Sequence, residues 1–115
     1  MNDIKTITSK IKKFRDEREW MQFHDPKNMA ISILIEASEL MEHFQWKTKE
    51  EVQQYLKNNK DEVEEEIADI AMYLFELADN LGINLIKAME KKLEKNAKKY
   101  PVAKAKGTAK KYTEL

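Results

Sequence analysis

The sequence predicts an all-α protein: a helical bundle of four main helices plus a short helix. Three observations carry the prediction. The 115 residues include only two glycines and two prolines, and 37% of them are charged. Apolar residues recur at spacings of three and four, the period of an α-helix and not of a strand. A wide apolar surface on the second helix leaves it either central or at a subunit interface.

Each element follows in chain order. Asp3 is a suitable N-cap, and Ile4, Ile7, Ile11 and Phe14 share one face of a helix running to about Trp20. Phe23-His24-Asp25-Pro26 breaks it, because the residue before proline resists the α region. Asn28 is the expected cap of a second helix reaching about Gln45, with Met29, Ile33, Leu40 and Phe44 as its packing stripe. Thr48 and Glu51 match a capping box, followed by a short helix to about Lys57 and a turn at Asn58-Asn59. From about Lys60 to Leu81, Val63, Ile67, Ile70, Leu74, Leu77 and Leu81 form an unbroken seam, and Gly82 is a good residue just past the end. Asn84 caps a last helix, Leu85 to about Tyr100, stopped by Pro101. Residues 1–100 thus read as one all-α domain, and 101–115 as an extended basic tail.

Composition removes several function classes. Without cysteine there is no disulfide and no thiolate metal site, which suits the cytoplasm. The apolar run Met29 to Ile35 is too short to span a membrane, and the N-terminus lacks a signal-peptide pattern. The 21 basic and 21 acidic residues cancel but are segregated. Residues 50–69 hold eight acids against two lysines, and residues 87–111 hold ten lysines against two glutamates. The basic stretch has no recognisable nucleic-acid module, so no nucleic-acid or membrane partner is expected.

The chemistry-bearing feature is a pair of carboxylate pairs. Glu36 and Glu39 stand three apart on one predicted helix, and Glu66 and Asp69 three apart on another. At about 100° per residue each pair projects from one side, and Glu36 falls at the edge of the apolar stripe beside Met29. If the two seams face each other, up to four carboxylates converge beside a core, where they require protons or a cation. Oxygen-only ligands suit Mg²⁺ or Mn²⁺. Di-iron bundles use Glu-x-x-His motifs, which this chain lacks, and no Ser/His/Asp set or glycine-rich phosphate loop is present. Without any such cation, the rival reading is a non-enzymatic helical interaction module with solvated carboxylates.

Glu36-x-x-Glu39 followed by Glu66-x-x-Asp69 resembles the signature of the MazG-like all-α nucleoside triphosphate pyrophosphohydrolases. Glu19-Trp20-Met21-Gln22-Phe23-His24, Phe44-Gln45-Trp46-Lys47-Thr48, Lys99-Tyr100-Pro101 and Lys111-Tyr112-Thr113-Glu114-Leu115 look like the dCTP pyrophosphatase branch. The resemblance implies Mg²⁺-dependent cleavage of dNTPs between the α and β phosphates, to dNMP and pyrophosphate, in nucleotide-pool house-cleaning. By position it implies Glu36, Glu39, Glu66 and Asp69 as metal ligands and catalytic groups. It sets Trp20, His24, Trp46, Tyr73 and Asn96 around base and sugar, and Lys99 and Lys47 toward phosphates. It also implies a dimer or tetramer with sites built between subunits. Animal members carry a histidine where this chain has Ile11, a departure that bears on the cytosine preference and not on the phosphate chemistry.

Overall fold

In the computed structural model, which describes residues 3–115, every regular element is helical. The helices are α1 (Asp3–Glu17), α2 (Pro26–Glu42), α3 (Lys49–Asn80), α4 (Leu85–Lys99) and the short α5 (Val102–Ala105), with 3₁₀ turns at Met21–Phe23 and Tyr112–Glu114. The chain divides into two compact units, one ending at Leu81 and one running Gly82–Leu115. No helix among the described residues is long and apolar enough to cross a membrane.

In the first unit, α1 and α2 both pack on α3. The start of α2 differs from the expectation. Asp25, not Asn28, is the cap: its carboxylate accepts from the Asn28 backbone N–H at 2.9 Å, and Pro26 takes the first turn. Proline has no N–H to leave unsatisfied there, so the cap falls before it. Asn28 instead donates its side-chain amide to Asp25 Oδ2 at 2.8 Å and to the Phe23 carbonyl at 3.1 Å. Both halves of the Thr48–Glu51 capping box form. The expected turn at Asn58-Asn59 is a kink, with Asn59 alone leaving helical angles (φ −126°, ψ 18°) inside a helix of 32 residues. Tyr55 accepts the Asn59 side-chain amide on its carbonyl at 2.9 Å, which repairs part of the broken ladder.

The burial of α3 shifts its working face from the predicted seam. Val63 and Ala78 are buried, but Ile67, Leu74 and Leu81 are exposed on this chain. The inward face includes Glu66, Tyr73, Glu76 and Asn80 together with Ile70 and Leu77. Likewise on α2, Met29 is 1% exposed, whereas Ile31, Leu34, Ile35 and Met41 lie open. Two apolar faces are therefore left uncovered, while polar residues occupy part of the interior.

The second unit is capped as predicted at Asn84, which accepts from the Lys87 N–H at 3.1 Å, and Gly82 adopts φ +68° just beyond α3. The segment after Pro101 is not extended. It forms α5 and a final 3₁₀ turn, where Tyr112 meets Tyr100 edge-on, ring centroids 6.0 Å apart.

Candidate active site

The packing of α2 on α3 brings three carboxylates together. Glu36 and Glu39 from α2 and Glu66 from α3 each offer an oxygen, and these oxygens lie within 4.8 Å of one another. All three residues are half-buried. Glu36 Oε2 and Glu66 Oε2 are buried without a hydrogen-bond partner. Such orphaned oxygens are uncommon, because a buried polar atom left unpaired costs about 1–3 kcal/mol.

The electrostatics follow from that crowding. Burial first, then the hydrogen bond and negative charge of Glu39, push Glu36 up to about 7. Burial and Glu39 raise Glu66 as well, while His43 works in the opposite sense. His43 Nε2 stands 3.8 Å from Glu66 Oε1, and its Nδ1 is bonded to the Tyr55 hydroxyl at 2.5 Å. Only protons shared among the carboxyl groups, or a cation, can hold this trio together. The donor set is oxygen throughout, with two oxygens unclaimed by the protein, and so fits a hard divalent ion.

Asp69 stands outside the trio, one turn along α3 from Glu66. It is close enough for its charge to raise both Glu36 and Glu66. It also lines a cavity of about 410 Å³ in the first unit, so it links the carboxylates to that cavity. Ile7, Ile11 and Phe14, read from sequence as a packing stripe, form part of the cavity wall instead. Trp20 meets Phe14 edge-on at 5.7 Å, and His24 meets Tyr73 at 6.3 Å, closing the aromatic side. Burial raises the Tyr73 hydroxyl, and the Glu36 and Asp69 charges raise it further.

Of the residues implied around a ligand, Trp20, His24, Tyr73 and Asp69 thus share one cavity. Trp46 is elsewhere: it is 91% exposed and holds a left-handed backbone, φ +67°. The Lys47 ammonium lies 4.6 Å over the Tyr55 ring. Asn96 and Lys99 belong to the second unit, where the Asn96 carbonyl accepts from the Tyr100 N–H and the Lys99 ammonium lies 4.7 Å over Tyr112.

Sequence reasoning missed Arg15, Glu76 and the His43–Tyr55 pair. A signal for Glu76 was present: residues 66, 69, 73, 76 and 80 alternate spacings of three and four, a polar stripe on one helix face.

The model of the MazG-like family matches residues 31–115. Over the whole chain, dCTP pyrophosphatase 1 of Bos taurus is 37% identical over 117 aligned residues, covering 100% of this chain and 68% of that protein. The Homo sapiens protein of the same name is 35% identical, with 100% and 67% covered. Among solved structures, a pyrophosphatase from Archaeoglobus fulgidus DSM 4304 superposes with a TM-score of 0.84 at 45% identity, covering 88% of this chain and 94% of that one.

Proposed function

This chain belongs to the MazG-like family, and we propose that it is an Mg²⁺-dependent pyrophosphohydrolase of deoxynucleoside triphosphates, favouring dCTP or a modified dCTP. The reaction adds water at the α-phosphorus and breaks the α–β anhydride, releasing dNMP and pyrophosphate. One observation carries the reading: two partnerless, buried carboxylate oxygens inside a trio whose mutual repulsion asks for a divalent ion.

Glu36, Glu39 and Glu66, with Asp69 beside them, would hold the ion. Bound there, Mg²⁺ supplies charge neutralisation of the phosphates and a more acidic water. The remaining work falls to the chain. Tyr55 orients His43, whose other nitrogen faces Glu66 and steadies that carboxylate. Asp69 spans from the trio to the cavity, so a triphosphate laid along it brings its base among Trp20, His24 and Tyr73. The apolar and aromatic part of its wall offers faces for stacking. Trp46, Lys47, Asn96 and Lys99 are assigned to nucleotide binding by their position in the family pattern alone.

The same reading makes the protein a homo-oligomer, a dimer or tetramer, in the cytoplasm. The open apolar faces of α2 and α3 support assembly, since contiguous exposed apolar patches mark interfaces. The absence of cysteine supports the compartment. The test is a panel of common and 5-substituted dNTPs with Mg²⁺, scoring pyrophosphate against orthophosphate. Pyrophosphate, with dCTP or a 5-substituted dCTP turned over best, is expected. Orthophosphate as the first product would overturn the reading.

A further inference from the structure

Against the cavity lies a polar cluster that the carboxylate trio does not use. Glu76 is 2% exposed, and its Oε2 is the focus of three side chains. His24 Nδ1 lies 2.7 Å from it, Asn80 donates its side-chain amide at 3.2 Å, and Arg15 Nη1 lies 3.5 Å away. Arg15 is itself buried. Its fork also donates to Asp16 Oδ1 at 2.8 Å and to Asn80 Oδ1 at 3.1 Å. The cluster joins α1, the loop before α2 and the end of α3, and both His24 and Glu76 line the cavity.

The charges and the ring geometry together restrict His24. Arg15 Nη1 sets a positive charge 3.5 Å from the buried Glu76 carboxylate, and Asp16, which shares that guanidinium, is solvent-exposed, so the His24 ring is not required as the counter-ion. At 2.7 Å from a carboxylate oxygen, Nδ1 has to carry the proton, because two acceptors do not approach so closely. A neutral ring protonated at Nδ1 has its lone pair on Nε2. The same logic governs carboxylate–histidine pairs in general, where the partner of one nitrogen sets what the other can do.

We propose that Glu76, balanced by Arg15, is a positioning residue that fixes His24 in the Nδ1–H form, so that Nε2 accepts a hydrogen bond from an amine on the edge of the ligand's base. The walls are mostly apolar, Asp69 lies toward the carboxylate trio and Glu76 is taken up by His24, Asn80 and Arg15, so this acceptor gives the base end of the cavity its preference for a base that presents a donor. Its substrate rests on the nucleotide reading above. The tautomer does not.

The test has two arms. In the unliganded wild-type protein at neutral pH, the ¹⁵N resonances of His24 report its tautomer directly. The chain has only two histidines, and His43→Gln identifies the other. The expected result is a protonated Nδ1 and an unprotonated Nε2. An Nε2–H ring or an imidazolium would overturn the proposal, whether or not any triphosphate is hydrolysed. The second arm compares kcat/KM for dCTP with that for the pyrimidin-2-one deoxynucleoside triphosphate, which lacks the amine. Wild type should favour dCTP by about 3- to 10-fold, the worth of one net hydrogen bond. Glu76→Gln can donate to Nδ1 and so release the tautomer, and the ratio should fall toward unity through KM. His24→Phe, which leaves the Glu76–Arg15 pair in place, should do the same. A merely structural Glu76 would lower both substrates together, and an unchanged ratio in both variants would sink the idea.

Discussion

At Glu36, burial beside other carboxylates makes the folded chain sensitive to pH. Its carboxyl is pushed from 4.5 to about 7, chiefly by burial and then by Glu39. An acid whose pKa is higher folded than unfolded binds its proton more tightly in the folded chain. The metal-free protein therefore keeps that stability below about pH 4.5 and loses it as the pH rises through 7. Melting temperatures of metal-free protein should fall across this window, and adding Mg²⁺ should raise them more at pH 8 than at pH 5, where protons compete for the same oxygens. A melting temperature indifferent to Mg²⁺ at pH 8 would favour the interaction-module reading. Glu39→Gln and Asp69→Asn should give folded protein with hydrolysis lowered by orders of magnitude, read as initial rates beside circular dichroism. Wild-type turnover in either would remove that residue from the site.

Trp46 makes a different residue-scale statement. Its left-handed backbone costs roughly 1–2 kcal/mol for a side chain of this kind, and its exposure means that packing on this chain offsets little of it. Trp46→Gly should leave the melting temperature of the dissociated chain unchanged or higher while raising the KM for nucleotide. A marked loss of stability with KM unchanged would make Trp46 a packing residue.

Helix ends and faces differ in how far the sequence discloses them. The Thr48–Glu51 box, the Asn84 cap and the left-handed Gly82 formed as the sequence indicated, because each depends on chemistry within a few residues, whereas the expected turn at Asn58-Asn59 became only a kink at Asn59 within α3. Thr48→Ala should cost about 1 kcal/mol in denaturant unfolding, the usual worth of an N-cap, and no effect would show that α3 does not need its first turn. What could not be read locally was the rotation of α3. Period alone marked Ile67, Leu74 and Leu81 as the seam, yet the helix turns Glu66, Tyr73, Glu76 and Asn80 inward. Those polar side chains tolerate burial only because α1 and the loop before α2 bring Arg15 and His24 to meet Glu76, partners 61 and 52 residues away in sequence. Long-range compensation of that kind leaves no trace in spacing. The carboxylates were more legible, since Glu36 sat beside an apolar stripe where a solvated acid has no reason to be. That three of the four would converge, with Asp69 set toward the cavity, needed the interhelical register.

Across the whole molecule, Ile31, Leu34, Ile35 and Met41 of α2 and Ile67 and Leu74 of α3 are exposed on this chain, and the proposed assembly would cover them. Leu34, at 70% exposure, is a direct probe. Leu34→Glu should shift the sedimentation coefficient toward that of the monomer, with activity falling in parallel if sites need a partner subunit. A wild-type chain that already sediments as a monomer would contradict the assembly.

The most direct measurement is a Mn²⁺ titration followed by electron paramagnetic resonance, with the paramagnetic ion standing in for Mg²⁺ on wild type and Glu39→Gln. The account predicts saturable loss of the free-ion signal with wild type and little or none with the variant. Equal binding by both, or none by wild type even with a non-hydrolysable dCTP analogue present, would contradict it.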